Sequence, residues 1–124
     1  MSARNIVHIE IPSSNLEQSG KFYGDLFGWK ITGMPEMNYA LWEPSEGPAG
    51  GFSPIGPEVA PGQVLIHVAS DDIEADLERA QALGATVLRT KTEIPNIGWW
   101  GVFRDPSGNA VALFTGLPSQ TAAS

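Results

Sequence analysis

The sequence predicts an α+β domain made of two similar βαβββ modules, and three observations support this. The order strand, polar cap, helix, glycine, strand occurs twice, beginning at Ile6 and again near Val64. The two copies keep a nearly constant spacing: Ile11 and Val68, and likewise Leu16 and Ile73, lie 57 positions apart, whereas Gly28 and Gly84 lie 56 apart. Further strand-like runs punctuated by turn residues follow each βα unit. Self-similarity at a fixed period points to a repeated structural unit.

In the first copy, Ile6–Ile11 alternates, with Val7, Ile9 and Ile11 on one face and His8 and Glu10 on the other. Pro12-Ser13-Ser14-Asn15 breaks the strand, and Ser14 or Asn15 can cap the next helix. Leu16, Tyr23, Leu26 and Phe27 recur at helical spacing with Phe22 beside them. Gly28 ends that helix and Trp29–Thr32 begins a strand. Tyr39–Trp42 and a weaker run around Gly51–Ser53 complete the module. Ser45 to Gly62 is rich in Gly and Pro and holds the connection between modules.

The second copy alternates Val64, Ile66 and Val68 with Leu65 and His67, then offers Ser70-Asp71-Asp72 as caps. Ile73, Leu77, Ala80 and Leu83 form a helical stripe, Gly84 ends it, and Thr86–Leu88 is the next strand. Trp100–Phe103 and Ala110–Phe114 form a hairpin across Asp105-Pro106-Ser107-Gly108-Asn109, where Pro presets a turn and Gly accepts a positive φ. The expected organisation is a single domain over 1–124: module one over about 6–56, a linker at 57–62, module two over about 63–115, and a loose polar tail at 117–124.

The 124 residues, 42% hydrophobic and 17% charged, suffice for one domain with a real core. No stretch reaches the roughly 18–20 apolar residues that span a bilayer. The N-terminus enters a strand directly, without an apolar signal region, so a cytoplasmic location is expected. There are no cysteines, which excludes disulfides, thiolate metal sites and thiol nucleophiles. Seven basic residues are scattered among 14 acidic ones, for a formal charge of −7. Nucleic acid and anionic membrane surfaces, both of which need basic patches, are therefore not expected partners. No glycine-rich phosphate loop and no Gly-x-Ser-x-Gly nucleophile motif occurs.

The βαβββ repeat, Phe22-Tyr23-Gly24-Asp25-Leu26-Phe27-Gly28-Trp29, the Asp71-Asp72-Ile73 helix entry and Arg104-Asp105-Pro106-Ser107-Gly108-Asn109 together resemble the vicinal oxygen chelate superfamily. Its members include glyoxalase I, extradiol dioxygenases and the fosfomycin- and bleomycin-resistance proteins. Through His8-Ile9-Glu10-Ile11-Pro12 and Phe27-Gly28-Trp29, the chain is most similar to a set of glyoxalase-like bacterial proteins. The resemblance covers roughly residues 6–115 and implies eight strands curved into a cup with the helices outside. It also implies a homodimer and a small molecule bound in the cup. In the family's metalloenzymes a ligand stands on the first and on the last strand of each half. Those positions correspond here to His8, the neighbourhood of Gly51, Leu65 and Ala112, and only His8 is a donor. Catalytic metals normally take at least three protein ligands, so no metal and no other cofactor is expected.

In the repeat, His67 stands where Glu10 stands and Leu65 where His8 stands. The chain's two histidines thus share one expected face with a carboxylate. His8, Glu10 and His67 can be read as an acid/base set, as a displaced metal set, or as hydrogen-bonded structural residues. Trp42, Trp99 and Trp100 can stack on a flat ligand or fill core. In an extended strand Trp99 and Trp100 must face opposite ways. Met34 and Met37 lie in a loop that can form a pliable rim or ordinary surface. The expected function is binding of a small, partly aromatic molecule without the standard metal. The alternative is a lyase, isomerase or dioxygenase using a non-standard metal or an acid/base pair.

Overall fold

Asn15 and Asp72 start the two helices, each through a side-chain oxygen that accepts a backbone N–H three residues on, from Gln18 and Ala75, both at 3.0 Å. The computed structural model describes residues 4–56 and 60–117. Residues 57–59 of the expected linker and 118–124 of the expected tail lie outside these. Two compact units result, one over 6–66 and one over 67–117 with 4–5.

The first unit begins with β1 (Ile6–Ser13), which runs through Pro12, two residues beyond the expected end. Helix α1 (Leu16–Phe27) closes on Gly28, whose φ of 76° lets its N–H reach Gly24 O at 2.8 Å. Strands β2 (Lys30–Met34), β3 (Tyr39–Glu43) and β4 (Gly50–Pro54) follow, with a 3-10 turn at Pro35–Met37 after β2. The order is β2-β3-β4-β1, with antiparallel pairing except between β4 and β1. Under α1 lie Ala40, Trp42 and Phe52, packed with Ile9, Ile11, Leu16, Tyr23, Trp29 and Ile31. Complete burial of Phe52 alone contributes about 1.5–3 kcal/mol.

The helical stripe read from the sequence is corrected in part. Leu16 and Tyr23 pack inward, but Leu26 and Phe27 remain 59% and 57% exposed. A small residue, Gly20, is the buried one on α1 and sits close against the sheet: a methyl there would come within 2.9 Å of Ile31 Cγ2.

The second unit contains β5 from His67 on (strand Leu65–Ala69), α2 (Ile73–Ala82), β6 (Thr86–Ile94), β7 (Gly98–Arg104) and β8 (Ala110–Gly116). The order is β5-β8-β7-β6, with β5 and β8 parallel and the other pairs antiparallel. Ile73, Leu77 and Leu113 form the core under α2, with Val68, Val87, Trp99 and Phe103 against them. Leu83, expected on the stripe, lies past the end of α2 and is 66% exposed. The β7–β8 turn is as expected: Asp105 Oδ1 accepts from Ser107 N and Asn109 N, and Gly108 takes φ 101°. The segment before β1 is tied to this unit. Asn5 O accepts from Ala69 N at 3.0 Å, and the Arg4 guanidinium grips Asp76 at 2.6 and 2.8 Å.

The first and last strands pair alike in both modules, Glu10 opposite Gly51 and His67 opposite Ala112, both in parallel register. The expected fold class, α+β with two βαβββ modules, is thus found.

Candidate functional site

Alternation along β1 sends Ile9 and Ile11 under α1 and leaves His8 and Glu10 on the opposite face of that sheet. Tyr39, at the start of β3, shares this face because its neighbour Ala40 is core. β4 lies between β3 and β1, so the Tyr39 side chain reaches β1 only by crossing β4. It crosses at Gly51, where any side chain would overlap the Tyr39 ring and hydroxyl. At the end of this path the Tyr39 hydroxyl lies 2.6 Å from His8 Nε2, with the two rings within 19° of coplanar. It also hydrogen-bonds the Glu10 carboxylate.

Burial raises the Tyr39 pKa far above that of an ordinary phenol, and the Glu10 charge and hydrogen bond add to the shift, so Tyr39 keeps its hydrogen. Between the Tyr39 hydroxyl and His8 Nε2 either group can be the donor, according to the imidazole tautomer. Burial lowers the His8 pKa, favouring the neutral imidazole.

In the second unit, His67, Trp100, Val102 and Ala112 share the face turned away from α2. Trp100 stacks on His67 with ring centres 6.1 Å apart, and the Arg89 guanidinium lies 4.8 Å from the Trp100 ring centre. Around this stack, Val102 and Ala112 are wholly buried and His67 is 5% exposed.

Trp42 and Trp99, read from the sequence as ligand residues, lie on the helix side of their strands. Trp42 is core under α1, its indole N–H donating to Gly51 O at 3.1 Å, and Trp99 packs against the core under α2. Lys91 covers the Trp99 ring at 5.2 Å. Of the three tryptophans singled out in the sequence, only Trp100 occupies the face that carries histidine. The residues missed are Tyr39 and Arg89. Neither stands in a motif: Tyr39 meets a partner distant in sequence, and Arg89 meets Trp100 across the β6–β7 pair. The glycine at position 51 was the one available signal for Tyr39, since it marks a place where something crosses the strand.

The four positions at which the family's metalloenzymes hold an ion do not fit one here. Leu65 and Ala112 have no donor atoms, Gly51 has no side chain, and His8 is engaged by Tyr39. Among the described residues no group of three His, Asp or Glu side chains is arranged to hold a metal ion. A separate groove of about 660 Å³ runs between α1 and β2, lined by Leu16, Gly20, Ile31, Met34 and Pro35. Its rim carries the exposed Lys21–Asp25 ion pair at 2.8 Å. Met34 thus borders a concavity, but on the helix side of the sheet. No helix among the described residues is long and apolar enough to cross a membrane.

The chain is 26% identical to the anthracycline biosynthesis protein DnrV of Streptomyces peucetius, over 85% of this chain and 44% of that protein. It is also 26% identical to a glyoxylase-like domain-containing protein of Didymella fabae, over 86% of this chain and 90% of the relative. The chain therefore spans less than half of the first relative and most of the second. Among solved structures, methylmalonyl-CoA epimerase from Mycobacterium tuberculosis superimposes with a TM-score of 0.69 at 14% identity, covering 98% of this chain and 96% of the epimerase. The family model described as the glyoxalase/bleomycin resistance protein/dioxygenase superfamily matches residues 5–113, nearly the whole of both modules. With the repeated fold and the paired first and last strands, the match leaves one assignment: the chain belongs to this superfamily.

Proposed function

We propose that the chain binds a small, partly aromatic molecule on a sheet face turned away from its helices, without the metal centre of the family's metalloenzymes. The observation that carries this reading is Trp100, stacked with His67 and Arg89 beside buried Val102 and Ala112. An indole held among apolar neighbours, with a cation at its ring, is a ready stacking partner for a flat ligand. Ala112, where the metalloenzymes place a ligand, is wholly buried and offers no side-chain donor atom. Kinship with a protein named for anthracycline biosynthesis agrees with this ligand class, because anthracyclines are fused-ring aromatics.

Titration with fused-ring aromatics, an anthracycline among them, tests the proposal by indole fluorescence and calorimetry. At least one compound binds, with equal affinity in the presence and absence of chelator. Trp100→Ala weakens binding at least tenfold, a loss of about 1.4 kcal/mol. Binding that needs added metal, or that ignores Trp100→Ala, overturns it.

The His8–Tyr39–Glu10 chain favours a second reading, a metal-independent lyase or isomerase in which these groups move a proton. Enzyme-dependent exchange of solvent deuterium into a carbonyl compound would mark that activity. We further propose that the chain works as a homodimer.

A further inference from the structure

We infer that Tyr39 takes the space which a metal and its last-strand ligand would need in the first module, fixing the tautomer of His8 and making its Nε2 a hydrogen-bond donor and not a metal-ligating atom. The inference rests on the metal-independent reading above and names the residue behind it. Three observations converge on Tyr39.

The first is room. The family's last-strand ligand of this module falls near Gly51, and any side chain at Gly51 would overlap the Tyr39 phenol. The second is distance. Two ligands on one tetrahedral ion, each bonded at about 2.0–2.1 Å, stand about 3.3 Å apart. His8 Nε2 and the Tyr39 oxygen are 2.6 Å apart, a direct hydrogen bond with no space for an ion between them. The third is the hydrogen count. Tyr39 donates its one hydrogen to Glu10, so the hydrogen between Tyr39 and His8 belongs to Nε2. Nε2, the nitrogen at the Tyr39 hydroxyl, then has no lone pair for a metal, and the ring's one lone pair is on Nδ1. Tyr39 is therefore a positioning residue: it fixes the orientation and tautomer of His8 from a strand two places away in the sheet.

The test reads the imidazole nitrogens directly. The protein is labelled with ¹⁵N at histidine, and His8 is assigned by loss of its signals in His8→Gln. At neutral pH, His8 shows the pattern of a neutral ring protonated at Nε2, and one equivalent of Zn²⁺ leaves that pattern in place. In Tyr39→Phe the same signals shift toward a mixture of tautomers. An Nδ1-protonated His8 in the unmodified protein overturns the inference, as do His8 signals that move with stoichiometric zinc or remain unchanged in Tyr39→Phe. Should Tyr39→Phe fail to fold, the spectra of the unmodified protein with and without zinc still decide. No aromatic ligand enters these spectra. A failed ligand titration beside the expected spectra therefore defeats the binding proposal alone.

Discussion

A methyl group on Gly51 would run into both the ring and the hydroxyl of Tyr39, so the glycine and the tyrosine depend on each other. Gly51→Ala should therefore destabilise the protein by about 1–3 kcal/mol, the usual cost of forcing extra volume into a packed site. Elsewhere in a strand the same change is neutral or mildly favourable, because alanine restricts the unfolded chain. In a Tyr39→Ala background the obstructing ring is gone, and Gly51→Ala should cost well under about 1 kcal/mol. Denaturant titration of the four proteins measures the cycle, and equal costs in both backgrounds would show that Gly51 does not serve to admit Tyr39. At this scale the sequence was informative about faces but not about meetings. Period-two alternation put His8 and Glu10 on one side and required Trp99 and Trp100 to part. It could not tell which indole would be core, nor that a residue 31 positions from His8 would reach it across an intervening strand.

At the scale of elements, the features set by neighbouring residues were the legible ones. Asn15, Asp72, Gly28 and the Asp105–Asn109 turn act within a few residues of themselves, and each is found in its expected role. The inward face of α1 was less legible because its depth depends on how closely Gly20 approaches Ile31. Least legible was the attachment of the N-terminal segment to α2, made by an ion pair spanning 72 positions. Asp76 Oδ2 accepts from Arg4 and from Ser70 Oγ, both at 2.6 Å. The Arg4 hydrogen bond, aided by Ser70, holds the Asp76 pKa below its ordinary value. A carboxylate with a depressed folded pKa adds stability above its unfolded pKa, roughly 3.9, and loses it as pH falls through the folded value. Asp76→Asn should thus lower Tm at neutral pH by roughly 2–4 °C, a modest figure because the Arg4 partner is exposed. The gap to the unmodified protein should close as pH drops below roughly 4, with Arg4→Gln following the same trend. A gap independent of pH would show that the ion pair contributes nothing.

For the molecule as a whole, two quantities bear on association and they oppose each other. Phe22, Leu26 and Phe27 on α1 are 58%, 59% and 57% exposed, an apolar cluster that gains from being covered. Against this, every copy carries a formal charge of −7, so copies repel. A stable interface takes roughly 800 Å² from each partner, about a tenth of the 7709 Å² this chain exposes. Burial of apolar surface is insensitive to modest salt, whereas repulsion between charged copies is screened over about 10 Å at 0.1 M ionic strength. Self-association should therefore strengthen as salt rises from about 0.02 to about 0.2 M, a range over which the Debye length falls from roughly 20 Å to 7 Å. The dimer should weaken in Phe22→Glu or Leu26→Glu, each of which adds repulsion and removes apolar contact. Sedimentation velocity at micromolar concentration measures both effects. A single species at 13.2 kDa at both salt concentrations would refute the homodimer. A dimer untouched by both substitutions would place its interface away from α1.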